Sequence, residues 1–159
     1  MADSSIGKEA EQKIKEWLDR PAEGYSFDRL YDQMTGFYAV SRNICDFTLY
    51  KYPYKYYIES KATWQDRWDF NELQDHQREG LLEKSKINGC FGWIIVLFAS
   101  YQRAFRIDIK DFQTALDSGI KSINITKIDK WKLSYKEIQT ISNNRKKLLD
   151  YTGEVEDLI

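Results

Sequence analysis

Asp46 and Glu59, thirteen residues apart, and Lys61 two residues further on are the side chains here whose types and spacing could do chemistry. They fall in two runs rich in aromatic and β-branched residues, Ile44 to Lys51 and Tyr54 to Lys61, broken by Tyr52-Pro53. That pattern predicts a strand, a tight turn and a second strand. With the turn centred on the break, Lys51 faces Tyr54. Counting outward along an antiparallel ladder sets Asp46 opposite Glu59, with Cα atoms roughly 4.5–5.5 Å apart. Alternation then puts Asp46, Glu59 and Lys61 on one face. Two carboxylates so placed repel each other, so the face is expected to bind something positive, and a divalent metal is the natural candidate. Carboxylate oxygens are hard ligands that suit such an ion. A desolvated lysine beside it could take part in proton transfer. The plainer alternative is a solvated sheet face on which Lys61 neutralises one acid as an ordinary ion pair. Proline at the second turn position needs a cis bond or a longer loop, and a slip of two residues would lose the alignment.

Other elements must hold this pair of strands. Residues 8 to 19 carry Ala10, Ile14, Trp17 and Leu18 at helical spacing, which predicts an amphipathic helix ended by Pro21. Glu11 lies at the edge of its buried face and could equally pair with Lys15 at the surface. Residues 22 to 43 read as a less regular connection with a short strand around Phe37 to Val40. A second helix is expected from about Phe70 to Lys86, with Phe70, Leu73 and Leu81 on one stripe before Asn88-Gly89, although Gly80 in its middle argues against it. Gln77 falls in that stripe, where its amide needs a partner, either a core backbone group or a functional side chain. His76, the only histidine, reads as a helix-surface residue beside it. Phe91 to Ala99 is a continuous apolar run, expected as a central buried strand with Gln102 to Ile109 as its alternating neighbour. Ile109 to Leu116 is expected to form a short helix, and residues 136 to 151 a C-terminal one.

The chain has 159 residues, of which 42% are hydrophobic and 15% aromatic, enough for one globular domain and too many for a disordered chain. No apolar run approaches the roughly 20 residues of a membrane span, and the N-terminus lacks the pattern of a signal peptide, so a cytoplasmic location is expected. Cys45 and Cys90, in apolar segments without CxxC spacing, read as reduced buried thiols. The net charge of −1 argues against a purely electrostatic DNA binder. Without the acids Asp150, Glu154, Glu156 and Asp157 of the C-terminal tail, the balance becomes 24 basic to 21 acidic residues. Arg42, Lys51, Lys55, Lys61 and Arg67 gather around the candidate site in sequence.

Taken in order, Gly7-x-x-x-Glu11-x-x-Ile14, Asp46, Glu59-Ser60-Lys61, His76-Gln77 and the apolar strand after them resemble the PD-(D/E)XK nuclease superfamily. Within it they are most similar to the RecU-type Holliday junction resolvases, over roughly residues 7 to 109. The resemblance implies an α/β fold, a restriction-endonuclease-like core with a mixed central sheet flanked by helices. It also implies Mg²⁺-dependent hydrolysis of DNA phosphodiester bonds, with Mn²⁺ as a substitute. Asp46 and Glu59 would be metal ligands, joined by the Ser60 carbonyl and assisted by Glu11. Lys61 would orient or activate the attacking water, and Gln77 would organise the site from its helix. Arg42, Lys51, Lys55, Arg67 and Arg78 are the expected DNA-contacting cations. The implied protein is a single domain spanning 1–159, with a core over about 7–116 and a helical C-terminal extension with an acidic tail over 117–159. Branched or duplex DNA is the expected partner and a homodimer the expected assembly. The hydroxyl residues common before the family's aspartate are absent from Ser41-Arg42-Asn43-Ile44-Cys45 apart from Ser41, and the junction-binding stalk is not visible between Glu23 and Asn43. A restriction or defence nuclease on the same core, with residues 119 to 159 as recognition material, stays open. So does an inactive DNA- or protein-binding derivative, for which Tyr50, Tyr52, Tyr54, Tyr56 and Tyr57 would be a surface.

Overall fold

The computed structural model describes residues 4–19, 24–35, 38–131, 134–141 and 148–154. In chain order the elements are α1 (Ser4–Leu18), β1 (Tyr25–Arg29), β2 (Gln33–Thr35), β3 (Tyr38–Ser41), β4 (Phe47–Lys51), β5 (Tyr54–Thr63), β6 (Arg67–Asp69), α2 (Asp75–Ser85), β7 (Cys90–Phe98) and β8 (Arg103–Asp108). They continue with α3 (Ile109–Asp117), β9 (Ser122–Asn124), β10 (Tyr135–Ile138), β11 (Thr140–Ile141) and β12 (Asp150–Tyr151). The central sheet has six strands in the order β1-β4-β5-β7-β8-β10. Only β5 and β7 run parallel, joined through α2, and the other four pairings are antiparallel. This is the mixed α/β architecture that the sequence led one to expect.

The apolar run of β7 is continuous because both of its faces are covered. Trp93, Ile95 and Leu97 join Ile6, Ala10, Ile14, Trp17 and Leu18 of α1 in one core layer. Ile94, Val96 and Phe98 join Leu81 of α2 and Ile109, Phe112 and Ala115 of α3 in the other. The helical stripe of α1 is therefore the face that closes one side of the sheet. Its predicted stop at Pro21 lies outside the described residues. The expected second helix is shorter than predicted: Phe70–Glu72 form a separate 3₁₀ turn, and α2 begins only at Asp75, where Gln74 and Gln77 close a reciprocal capping box. Gly80 belongs in α2 because a Cβ there would lie 2.2 Å from Cγ2 of Ile44. The missing side chain lets the helix press onto the loop before β4.

Two expectations fail. The described part of the connection 22–43 is more regular than expected: β1 pairs with β4 along its whole length, Tyr25↔Lys51 to Arg29↔Phe47, and β2 pairs with β3, which overlaps the short strand expected around Phe37 to Val40. The C-terminal helix over 136–151 and the helical extension over 117–159 are replaced, among the described residues, by strands and a 3₁₀ segment. β10 pairs with β8 from Tyr135↔Ile107 to Ile138↔Ala104, and Arg103 grips Glu137 across the pair at 2.6 Å. A sheet edge offers a ladder of backbone partners, and that outweighs a weak helical period. Further on, Tyr151 stacks on Trp17 with centroids 5.1 Å apart, the Trp17 indole donates to the Gly153 carbonyl at 2.8 Å, and Lys13 binds Asp150 at 2.5 Å. The described stretch from Leu148 to Gly153 is thus part of the core layer under α1. Glu156 and Asp157 of the expected acidic tail lie outside the described residues.

Candidate active site

The hairpin of β4 and β5 keeps the predicted register, from Lys51↔Tyr54 to Phe47↔Ile58, and the Tyr52-Pro53 bond is cis. The expected last rung, Asp46 opposite Glu59, is absent. The Asp46 amide donates to the Ile58 carbonyl at 3.0 Å although Phe47 is already the partner of Ile58, so the strand bulges there. The bulge turns the Asp46 side chain across the strand, where Oδ2 accepts from the Ser60 amide at 2.8 Å. Asp46 still reaches the cavity that Glu59 lines, by a route the simple ladder did not foresee.

Glu59 and Lys61 alternate onto the same face of β5, and Lys61 Nζ lies 2.9 Å from Glu59 Oε1. The Gln77 amide donates to that same oxygen at 2.6 Å, while its own Oε1 accepts from Lys61 at 3.1 Å and from the Gln74 amide at 3.2 Å. The polar residue on the helix stripe therefore answers to the carboxylate of the site as well as to the helix cap. Glu59 is only 3% exposed, and its Oε2 is buried without a hydrogen-bond partner among the described residues. Burial, and next the neighbouring Asp46 charge, push its carboxyl up to about 8 against the pull of Lys61.

Glu11 comes from α1 and Asp46 from the bulge, and one residue joins them that the sequence reading missed. Arg29, at the end of β1, binds the Glu11 carboxylate through Nη2 and Asp46 Oδ1 at 3.2 Å through Nη1. Burial followed by the Asp46 charge raises the Glu11 pKa, and Arg29 opposes this. The sequence signal for Arg29 was slight: a single cation closing the alternating run Tyr25-Ser26-Phe27-Asp28-Arg29. Glu11 pairs with Arg29, so the expected surface alternative with Lys15 is not its role.

The expected cations separate. Arg42 lines the site cavity, of about 470 Å³, with Glu11, Asp46, Glu59, His76 and Gln77. Lys51 and Lys55 do not cluster there. They sit near the turn end of the hairpin, four to five residues from the carboxylates, or roughly 13–17 Å at about 3.3 Å per strand residue. Neighbours in sequence diverge quickly along an extended chain. Lys51 binds Tyr25, and Lys55 lies over the Tyr57 ring. Arg67 is held by Asp69 at 2.9 Å, and Arg78 bonds Gln113 and reaches Asp75 and Glu79. Of the tyrosines offered as a surface, Tyr56 is buried, whereas Tyr50, Tyr52 and Tyr54 are exposed. Cys45 is a buried free thiol whose pKa burial pushes up to about 12, and Cys90 is free and half-buried.

Among the described residues no three acids, histidines or cysteines stand grouped as metal ligands. Glu11 and Asp46 turn to Arg29, and Glu59 turns to Lys61 and Gln77. The donor types nevertheless suit a hard divalent cation, since three carboxylates from three segments border one cavity and one of them keeps a buried oxygen without a partner. The arrangement can neutralise and orient an anionic group and supply a proton-bearing ammonium beside it.

Against known proteins, residues 25–157 match the family model of recombination protein U. Arg29, Asp46, Glu59, Lys61 and Gln77 fall inside that span, whereas Glu11 precedes it. No curated protein matches the chain. Among similar solved structures is Hjc, a Holliday junction resolvase from Archaeoglobus fulgidus, at 13% identity and a TM-score of 0.45, covering 66% of this chain and 78% of that one.

Proposed function

The chain belongs to the recombination protein U family of Holliday junction resolvases, structure-selective DNA endonucleases of recombination, and we propose that it works with Mg²⁺, or Mn²⁺ in its place, held by Asp46, Glu59 and Glu11. The observation that carries this reading is the convergence of those carboxylates with Lys61 and Gln77 on one cavity, where the buried Glu59 Oε2 has no hydrogen-bond partner among the described residues. The Ser60 carbonyl, next to the Asp46-bound amide, completes the proposed ligand set.

When bound, the metal supplies charge to the scissile phosphate and a water of lowered pKa. The side chains supply the rest. The Ser60 amide holds Asp46, and Gln77 holds Glu59, so neither carboxylate has to find its orientation when DNA arrives. Lys61 has three ammonium protons, of which Glu59 and Gln77 engage two. The third can meet a water or a phosphoryl oxygen, and the cation opposes the negative charge that develops there. Arg42 at the cavity is the proposed nearest DNA contact, with Lys51 and Lys55 reaching an arm farther away. Arg67 and Arg78, already held by acids, are weaker contributors. A homodimer fits the need to cut two strands symmetrically. No helix among the described residues is long and apolar enough to cross a membrane, and a cytoplasmic site of action goes with a DNA substrate.

Of residues 119 to 159, the recognition material of the defence-nuclease alternative, β10 and the stretch from Leu148 to Tyr151 are built into the sheet edge and the α1 layer, which favours the resolvase reading. The decisive assay is cleavage of labelled four-way junctions, flaps, linear duplexes and single strands with Mg²⁺, Mn²⁺ or EDTA, with Asp46→Asn as control. Symmetric metal-dependent cutting of junctions is expected. Absence of cutting with either metal sinks the metal-dependent reading in favour of a binding protein.

A further inference from the structure

Arg29 sits in an unusual cradle. Its Nη1 donates to the backbone carbonyls of Leu30 at 2.8 Å and Asp46 at 2.9 Å, as well as to Asp46 Oδ1 at 3.2 Å, while Nη2 binds Glu11. The guanidinium also lies 4.9 Å from the centroid of Phe47 and 5.1 Å from that of Tyr31. A monovalent cation thus takes up the charge of two of the three carboxylates that border the cavity. We infer that Arg29 is the resident counter-ion of the metal-free site, competing with the divalent cation for Asp46 and Glu11 and thereby setting how tightly metal binds. This rests on the metal-dependent reading given above.

The argument is electrostatic and geometric. A carboxylate oxygen directed at a guanidinium is not directed at a metal, and a unit positive charge within a few ångströms of a divalent ion opposes it. The two backbone carbonyls bind Arg29 without either carboxylate, so the guanidinium can yield Asp46 Oδ1 and Glu11 and remain anchored at the cavity wall. Without metal, the same guanidinium keeps two neighbouring acids from repelling each other, which protects the bulge. Arg29 is a positioning residue on this account. An arginine that merely braced the ligands would strengthen metal binding. A competitor weakens it.

The opposite signs make the test direct. Mg²⁺ and Mn²⁺ are titrated calorimetrically into the wild type, Arg29→Gln and Arg29→Lys, and each protein is melted in EDTA and in metal. Arg29→Gln is expected to bind metal at least about tenfold more tightly, to melt lower in EDTA, and to gain more than the wild type from added metal. Arg29→Lys, which keeps the charge but lacks the fork that spans both carboxylates, is expected to bind metal with an affinity between those of the wild type and Arg29→Gln. Binding by Arg29→Lys as weak as or weaker than the wild type's would count against loss of the fork as a cause. Equal or weaker binding by Arg29→Gln overturns the inference and leaves the metal-dependent reading standing. A wild type that binds neither metal overturns both. If Arg29→Gln fails to fold, guanidinium NMR signals of the wild type take its place: the Arg29 resonances should move in step with Mg²⁺ occupancy, and resonances unmoved at saturation refute competition.

Discussion

The two cations of the site are housed differently. Lys61 and Glu59 are two residues apart on one strand, 2.9 Å from each other, and Gln77 seals them from a helix. Arg29, Glu11 and Asp46 come from a strand, a helix and a bulge, and no two are close in sequence. The first half is a local device made by strand alternation, and its carboxylate, Glu59, is nearly fully buried while Lys61 is 17% exposed. The second is assembled wholly by tertiary contact, and its two carboxylates are more open, Asp46 at 17% and Glu11 at 28%. The difference suggests a division of labour: the buried half holds its geometry, and the open half exchanges its partner.

The sharpest way to break this comparison is to remove one member from each half. Asp46→Asn and Lys61→Ala are each expected to lower junction cleavage by at least about a thousandfold, as loss of a principal electrostatic group does. Circular dichroism and DNA binding should remain near wild type. Loss of folding in Lys61→Ala would mean that the buried half is a structural ion pair instead. Gln77→Ala should cost roughly 10–100-fold in cleavage, since it frees Glu59 without touching substrate. Equal activity would show that the orientation of Glu59 does not depend on α2. Gly80→Ala forces a methyl group into Ile44 and should destabilise the protein by about 1–3 kcal/mol in urea unfolding, with its effect on Gln77 confined to the buried half.

The smallest effect distinguishes the halves by pH. The Glu59 pKa is raised from 4.5 to about 8. Between those values the native protein binds more protons than the unfolded chain, so stability is greatest below the window and falls as pH rises through it. In EDTA the decline should be no steeper than about 1.4 kcal/mol per pH unit from this group. Glu59→Gln should flatten it. Glu11, raised in the same direction but less buried, should contribute a shallower decline, and a larger flattening by Glu11→Gln than by Glu59→Gln would reverse the comparison.

Much of the buried half was legible in the sequence because strand alternation and helix periodicity are short-range rules. The Lys51↔Tyr54 register, the shared face of Glu59 and Lys61, and the misplaced amide of Gln77 all follow from counting. Counting failed where the chain departed from regular geometry. The bulge at Asp46 broke the ladder on which its position was reckoned, and β10 took a sheet edge in place of the expected helix. Lys51 and Lys55 looked close to the site only because distance along a strand was read as proximity.

The residue order by itself determined the chemistry present, two acids and a lysine at strand spacing with a glutamine on a helix stripe, and the family to which that order belongs. Only the tertiary structure decided which cation meets which carboxylate. Arg29 is 18 residues from Glu11 and 17 from Asp46, and no local period links such positions. Their meeting depends on β1 pairing with β4 and on α1 packing across the sheet, and that packing is fixed by burial of the apolar core layer under α1, not by the charged groups themselves.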